Sequence, residues 1–285
     1  MRTRFAVVLL CILSAPCVLA QTAKSDFFKT SDGVRIHYLE AGNGKPIVFI
    51  PGWTMPAWIW EKQIAEFSKK YHVIAVDPRS QGESDRPTYG HLPETRARDY
   101  KELVDHLNLK RPVLVGWSMA CGEELKYVEQ FGNDNLAGLV LVDGFMWDKL
   151  NPQLFIGLSG WMNQLQQDRK KHADGFVRTM YKKPQSEEYL HRVIEASMSV
   201  PDETAAVLIY NMIAVQDFSP AYAKVNVPVL FAFQTASQPA ADLLKSKLGD
   251  KVRLEQFDGD GHALFVDDPE KFNHVLEDFV QSLGK

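Results

Sequence analysis

The run Val113-Leu114-Val115-Gly116-Trp117-Ser118-Met119-Ala120 constrains this chain more than any other stretch. A short β-branched apolar run reads as a buried strand. It ends in Gly-x-Ser-x-Ala, and a helix-forming segment, Cys121 to Phe131, follows at once. Strand, sharp turn and helix are what a nucleophile elbow requires, with the serine hydroxyl held above the sheet edge. Small residues must flank that serine because the strand and helix backbones pass close together. Gly116 meets the demand, and Ala120 meets it with one extra methyl. The helix starts just after Ser118, so its free N–H groups face any negative charge that forms there. A bare Gly-x-Ser-x-small match arises often by chance. The strand before it and the helix after it make Ser118 the candidate nucleophile, the other reading being a decayed elbow in a non-enzymatic chain.

The ends and the cysteines set the context. Met1-Arg2-Thr3-Arg4 is basic, Phe5 to Ala20 is apolar, and Val18-Leu19-Ala20 puts small residues at −3 and −1 of a cut before Gln21. Residues 1–20 read as a secretory signal peptide rather than a membrane anchor, because the run is short and Pro16 breaks it. The expectation is export to the periplasm or the outside of a bacterial cell, with no stable membrane anchor after cleavage. Cys11 and Cys17 leave with the signal, so Cys121 alone remains and no intramolecular disulfide can form. Stability must come from a core, which residues 21–285 are long enough to build as one domain. Losing Arg2 and Arg4 moves the net charge from −4 to −6, which gives no basis for nucleic-acid binding. Arg169-Lys170-Lys171 reads as a solvated helix face.

Strands and helices alternate, which predicts an α/β sheet. Phe27 to Thr30 and Val34 to Glu40 form a hairpin around Ser31-Asp32-Gly33. Further strands fall at Pro46 to Ile50, His72 to Val76, Val113 onward, Leu136 to Val142, Val229 to Phe233 and Val252 to Phe257, with helices at Trp60 to Phe67, Arg96 to Leu107, Ala240 to Leu248 and Pro269 to Leu283. Between about 145 and 222 no strand is convincing, and Trp, Met, Leu and Tyr recur at helical spacing. This stretch reads as a helical cap inserted after the sixth strand, leaving a core of 21–144 and 223–285.

Three further segments carry chemistry. Pro51-Gly52-Trp53-Thr54 follows the third strand. Glycine there lets the backbone turn so that the Trp53 N–H, with that of Met119, can form a two-donor oxyanion hole, and the Trp53 ring can wall an acyl pocket. Asp77-Pro78-Arg79-Ser80-Gln81-Gly82-Glu83-Ser84 follows the fourth strand, and its acid reads as a loop brace. Gly261-His262 lies in a glycine-rich loop after the last strand, where a histidine can swing back over the sheet. The other histidines (His37, His72, His91, His106, His172, His191 and His274) have no metal-ligand spacing, so no metal is expected.

With these segments in hand, the chain resembles the α/β-hydrolase superfamily over essentially all of the mature chain. The resemblance rests on Pro51-Gly52-Trp53, Asp77-Pro78-Arg79-x-x-Gly82-x-Ser84, Gly116-Trp117-Ser118-Met119-Ala120, and Gly261-His262 with Asp268-Pro269. Val115 to Met119 with Gly122-Glu123 and Tyr127 is most similar to the non-haem chloroperoxidase, perhydrolase and aryl-esterase branch. The resemblance implies an eight-stranded, mostly parallel sheet, a triad of serine, histidine and an acid, and cofactor-free hydrolysis of a small-molecule ester. Perhydrolysis or haloperoxidase-type activity, enol-lactone hydrolysis and carbon–carbon bond hydrolysis use the same triad. A serine rather than an aspartate at the elbow argues against haloalkane dehalogenase or epoxide hydrolase chemistry.

One departure stands out. Most relatives carry the triad acid after the strand that is Val229 to Phe233 here, where this chain reads Gln234-Thr235-Ala236-Ser237-Gln238-Pro239. Ser237 cannot stabilise an imidazolium by charge, though it can orient a ring. Asp143 ends the sixth strand, a position that holds the acid in some relatives and merely caps the turn in others. It is the preferred candidate. Asp242 is second and is expected on a helix facing water, and Asp258 and Asp260 are too near His262 in sequence. The vacant usual position is also what favours a binding protein that lost turnover.

Overall fold

The computed structural model describes residues 23–144, 146–148, 152–214 and 217–284. The reading of 1–20 as a signal peptide lies outside them. Eight strands form one sheet in the order β1-β2-β4-β3-β5-β6-β7-β8. They are β1 (Lys24–Lys29), β2 (Arg35–Ala41), β3 (Pro46–Ile50), β4 (His72–Val76), β5 (Val113–Trp117), β6 (Gly138–Val142), β7 (Val229–Gln234) and β8 (Val252–Phe257). Only the β1–β2 and β2–β4 pairs are antiparallel. From β3 to β7 nearly every strand residue is buried on both faces, which is why these segments read as unbroken apolar runs rather than alternating ones.

Helices cover both faces: α1 (Glu61–Phe67), α2 (Pro93–His106) and α3 (Met119–Phe131) before β6, and α9 (Gln238–Leu248), α10 (Leu264–Asp267) and α11 (Pro269–Ser282) after β7. One core layer packs α2 and α3 on the sheet around Tyr100, Leu125 and Phe231. The other packs α1 and α11 around Trp60, Phe265 and Phe272. The cap comprises α4 (Pro152–Gln167), α5 (Arg169–Thr179), α6 (Glu187–Met198), α7 (Asp202–Ala214) and α8 (Ser219–Lys224), all between β6 and β7. Asp168 and Ser186 start α5 and α6 by accepting from the Lys171 and Tyr189 N–H groups. A third, smaller core joins cap to sheet, with Trp53 and Met119 packed against Leu165, Val200 and Ile209.

The basic run in the cap differs from its expectation. Lys170 and Lys171 are exposed, but Arg169 is buried. Its Nη2 donates to Ser197 O at 2.8 Å, and its guanidinium sits 5.5 Å from the centre of the Trp53 ring. A carbonyl, an aromatic face and the Asp202 carboxylate 3.5 Å from its Nε therefore hold a cation that charge patterning alone assigns to solvent.

Register positions the functional segments. Trp117 pairs with Val142, so Ser118 and Asp143 leave adjacent parallel strands side by side. Val142 pairs with Ala232, and Gln234 with Phe257, which brings the segments after β7 and β8 to the same carboxyl edge. That edge is where open α/β sheets hold their ligands.

Candidate active site

Ser118 occupies a conformation few non-glycine residues adopt, with φ 58° and ψ −115°. The ladder holds it there: its N–H donates to Val142 O at 2.8 Å, and its own carbonyl accepts from Cys121 N at 3.1 Å. Two glycines make room. A Cβ on Gly52 would fall 3.0 Å from Ser118 Cβ, and one on Gly116 would fall 2.8 Å from Glu124 Oε1. Glu124 is fully buried beneath the elbow, and burial, reinforced by neighbouring Glu123, pushes its carboxyl well above the usual range.

His262 Nε2 lies 2.8 Å from Ser118 Oγ, and His262 Nδ1 lies 2.7 Å from Asp143 Oδ2. The loop after β8 is held in place by Trp117, whose Nε1 donates to His262 O at 2.9 Å, and by Asp267 on α10, whose Oδ2 accepts from the Gly261 and Lys182 N–H groups. Elbow, histidine loop and cap are thereby tied together through three bonds.

Asp143 is 1 % exposed, with a left-handed φ of 44°. Burial raises its carboxyl pKa, but the hydrogen bond and charge of His262, then Ser237 and the Gln234 N–H, outweigh burial and leave it below the ordinary aspartate value. Oδ1 accepts from Ser237 Oγ (2.7 Å) and Gln234 N (3.1 Å), and Oδ2 accepts from Gln234 Nε2 (2.9 Å) as well as from the imidazole. The segment after β7, where the resemblance leads to the expectation of an acid, thus supplies donors to the carboxylate on β6. Ser237 donates to Asp143 rather than facing the imidazole itself. Asp242 is exposed on α9, bonded to Gln238, and Asp258 accepts from Thr235 and Gln256. Asp260 faces Lys183 at 2.9 Å.

Met119 opens α3, so its N–H has no intrahelical acceptor, and among the described residues neither it nor the Trp53 N–H has a hydrogen-bond partner. The loop carrying Trp53 is fastened from below: Gln81 Nε2 donates to Gly52 O (3.0 Å) and Met55 O (2.7 Å). Gln81 Oε1 accepts from Arg96 Nη2 at 3.0 Å, and Arg96 Nε donates to Glu123 Oε1 on α3 at 2.5 Å. This fully buried relay from loop to elbow helix was not apparent in the sequence. Asp77 braces its loop as its turn context suggested, accepting from the Ala57 and Glu83 N–H groups.

A cavity of about 300 Å³ opens over Ser118 and His262, walled mainly by Trp53, Trp161, Phe176, Met180 and Ile209. Trp161 and Phe176 pack edge-on against the Trp53 ring at 4.9 and 5.1 Å, and Trp53 Nε1 donates to Ala205 O of α7. The candidate oxyanion residue therefore also joins core to cap. Among the described residues no group of histidines, cysteines and acids could hold a metal ion.

Residues 45–269 match the family model described as alpha/beta hydrolase fold. A non-heme chloroperoxidase of Streptomyces lividans is 31% identical over 276 residues, covering 89% of this chain and 98% of that one. An esterase from Exiguobacterium antarcticum superposes with a TM-score of 0.84 at 25% identity, over 90% of this chain and all of that one. A bromoperoxidase from Bacillus anthracis reaches the same TM-score at 22% identity over 90% of this chain and 100% of that one, a likeness of fold alone. With its mostly parallel eight-stranded sheet, its elbow and a cap after the sixth strand, the chain belongs to the α/β-hydrolase family.

Proposed function

We propose that the protein is a serine hydrolase of small to medium, largely apolar carboxylic esters, with Ser118 as nucleophile, His262 as general base and acid, and Asp143 as the triad acid. The observation that carries the reading is the unbroken relay Ser118–His262–Asp143, with bonds of 2.8 and 2.7 Å, at the floor of an apolar cavity. His262 takes the Ser118 proton as Oγ attacks the ester carbonyl. The Trp53 and Met119 N–H groups receive the oxyanion, and removing such a donor typically slows catalysis about a hundredfold or more. His262 then protonates the leaving alcohol and activates the water that releases the acyl group. Asp143 holds the Nδ1–H tautomer throughout. The four donors on its carboxylate weigh against a decayed triad, because a capping aspartate would not need the imidazole.

Hydrolysis of p-nitrophenyl esters from acetate to octanoate tests this. Turnover should peak at short to medium chains, in keeping with a cavity of about 300 Å³, and fall by about a thousandfold or more in Ser118→Ala. Equal background rates for folded wild type and variant would refute it. The chloroperoxidase relative favours a second reading on the same acyl-enzyme, transfer to peroxide; the partition between water and added hydrogen peroxide decides between them. The basic and apolar residues 1–20 support export, and a mature chain beginning at Gln21 would be its mark.

A further inference from the structure

A second Ser-His-Asp relay lies away from the cavity over Ser118. His37, on β2, has Nδ1 2.7 Å from Asp77 Oδ2, and its Nε2 is 2.8 Å from Ser25 Oγ on β1. These are the same separations found at Ser118, His262 and Asp143. His37 and Asp77 are 4 % and 3 % exposed, while Ser25 is exposed, so the base and its acid are fixed and the hydroxyl is open to a reagent. The three face a cleft of about 460 Å³ beside Trp58, Arg86 and Arg192, which shares no lining residue with the cavity over Ser118.

The bracing role of Asp77 does not account for this arrangement. Its bonds to the Ala57 and Glu83 N–H groups already hold the loop. The backbone of His37 is fixed separately, by its N–H donating to Ser84 Oγ at 2.8 Å. What the Asp77–His37 bond adds is a choice of tautomer. In the tautomer that donates Nδ1–H to the carboxylate, Nε2 is the acceptor for the Ser25 O–H, and triads are recognised by such roles rather than by position in the chain.

We propose that Ser25, activated by His37 and Asp77, is a second nucleophile that acylates on small esters with good leaving groups, such as aryl esters. Ser25 Oγ gives its proton to His37 Nε2 and bonds to the ester carbonyl carbon. The carbon–oxygen bond to the aryl group breaks, and the departing oxygen takes the proton from His37. Water, with His37 again as base, then releases the acyl group. Arg86 and Arg192 line the cleft, but Arg86 is held by Ser199 O and Gly82 O and Arg192 by Glu61 and the Trp58 ring, and among the described residues no helix begins at Ser25 as α3 does at Ser118. The reaction is therefore about a hundredfold or more slower than at Ser118 and confined to activated substrates.

The test is covalent labelling with an alkyl fluorophosphonate, read by peptide mass spectrometry on folded protein. In Ser118→Ala the expected result is one adduct per chain, on Ser25, forming about a hundredfold or more slower than the wild-type adduct on Ser118. Ser118→Ala/Ser25→Ala should form none, and Ser118→Ala/His37→Gln, with its fold checked by circular dichroism, should label at least tenfold more slowly. Because His37 is buried, Ser118→Ala/Ser25→Thr supplies a second comparison, retaining a hindered hydroxyl and slower labelling. No adduct on Ser118→Ala, an adduct elsewhere than Ser25, or an unchanged rate after replacing His37 would overturn the proposal. The wild-type adduct on Ser118 reports separately on the main reading.

Discussion

Asp143 carries more of this site than a turn aspartate would. A carboxylate with four hydrogen bonds, buried between two strands, fixes the imidazole and stays charged at pH values where a typical aspartate begins to protonate. Asp143→Asn should reduce kcat on p-nitrophenyl esters by about 10⁴, as loss of the triad acid does in serine proteases, with KM little changed. Its depressed value stabilises the fold above the unfolded pKa of about 3.8 and ceases to do so as pH falls through the lower, folded value. The stability difference between wild type and Asp143→Asn should accordingly be constant above pH 4 and shrink below it, as urea titrations at several pH values would show. Ser237 sits 2.7 Å from the same carboxylate, in the segment where the sequence resemblance leads to the expectation of an acid. The double variant Asp143→Asn/Ser237→Asp should regain at least tenfold of the activity lost in Asp143→Asn. Ser237→Asp alone should lower activity, because two carboxylates would then crowd one site. A double variant no better than the single would place the acid's reach at β6 alone.

At the scale of elements, the elbow is a junction of strand, helix and loop whose parts were unequally legible. The buried strands and the turn at Ser118 were readable because apolar runs and small flanking residues are local signals. The partnership of Ser237 with Asp143 was not, since it depends on two strand ends 94 residues apart emerging side by side. Arg169 misled for a similar reason: its partners are a carbonyl on α6, the ring of Trp53 and the Asp202 carboxylate, none near it in sequence. The Gln81 clamp was equally hidden, because a glutamine in a turn carries no mark of the carbonyls it will reach. It joins the Trp53 loop to α2 and α3 through Arg96 and Glu123. Gln81→Met keeps the volume and removes the donors. It should lower kcat about tenfold with KM within about twofold, because it loosens the loop that presents the Trp53 N–H while leaving the apolar cavity walls in place. A rise in KM with kcat intact would instead make the clamp part of substrate binding.

Across the whole molecule, stability rests on two apolar layers and a few buried polar groups. Trp60 is fully buried and stacks on Phe265 at 3.9 Å, joining α10 to the layer built by α1 and α11. Trp60→Ala should lower unfolding free energy by about 3–5 kcal/mol in denaturant titration. His91 gives the fold an acid sensitivity. Burial, and then the charges of Arg96 and Arg79, depress its pKa from 6.5 to about 4, while its Nε2 meets Ser80 Oγ at 3.1 Å. The unfolded chain therefore binds this proton first, so the contribution is complete above pH 6.5 and is lost between pH 6.5 and about 4. His91→Gln should flatten the fall in stability across that window; an unchanged slope would assign the acid sensitivity to other groups. The central claim is that chemistry passes through an acyl group on Ser118. Rapid mixing with p-nitrophenyl butyrate, followed by acid quench and peptide mass spectrometry, tests it most directly. The account predicts acyl mass on the peptide containing Ser118 before steady state, and its loss from that peptide in Ser118→Ala. Steady turnover with no acyl group on that peptide, or turnover undiminished in Ser118→Ala, would contradict it.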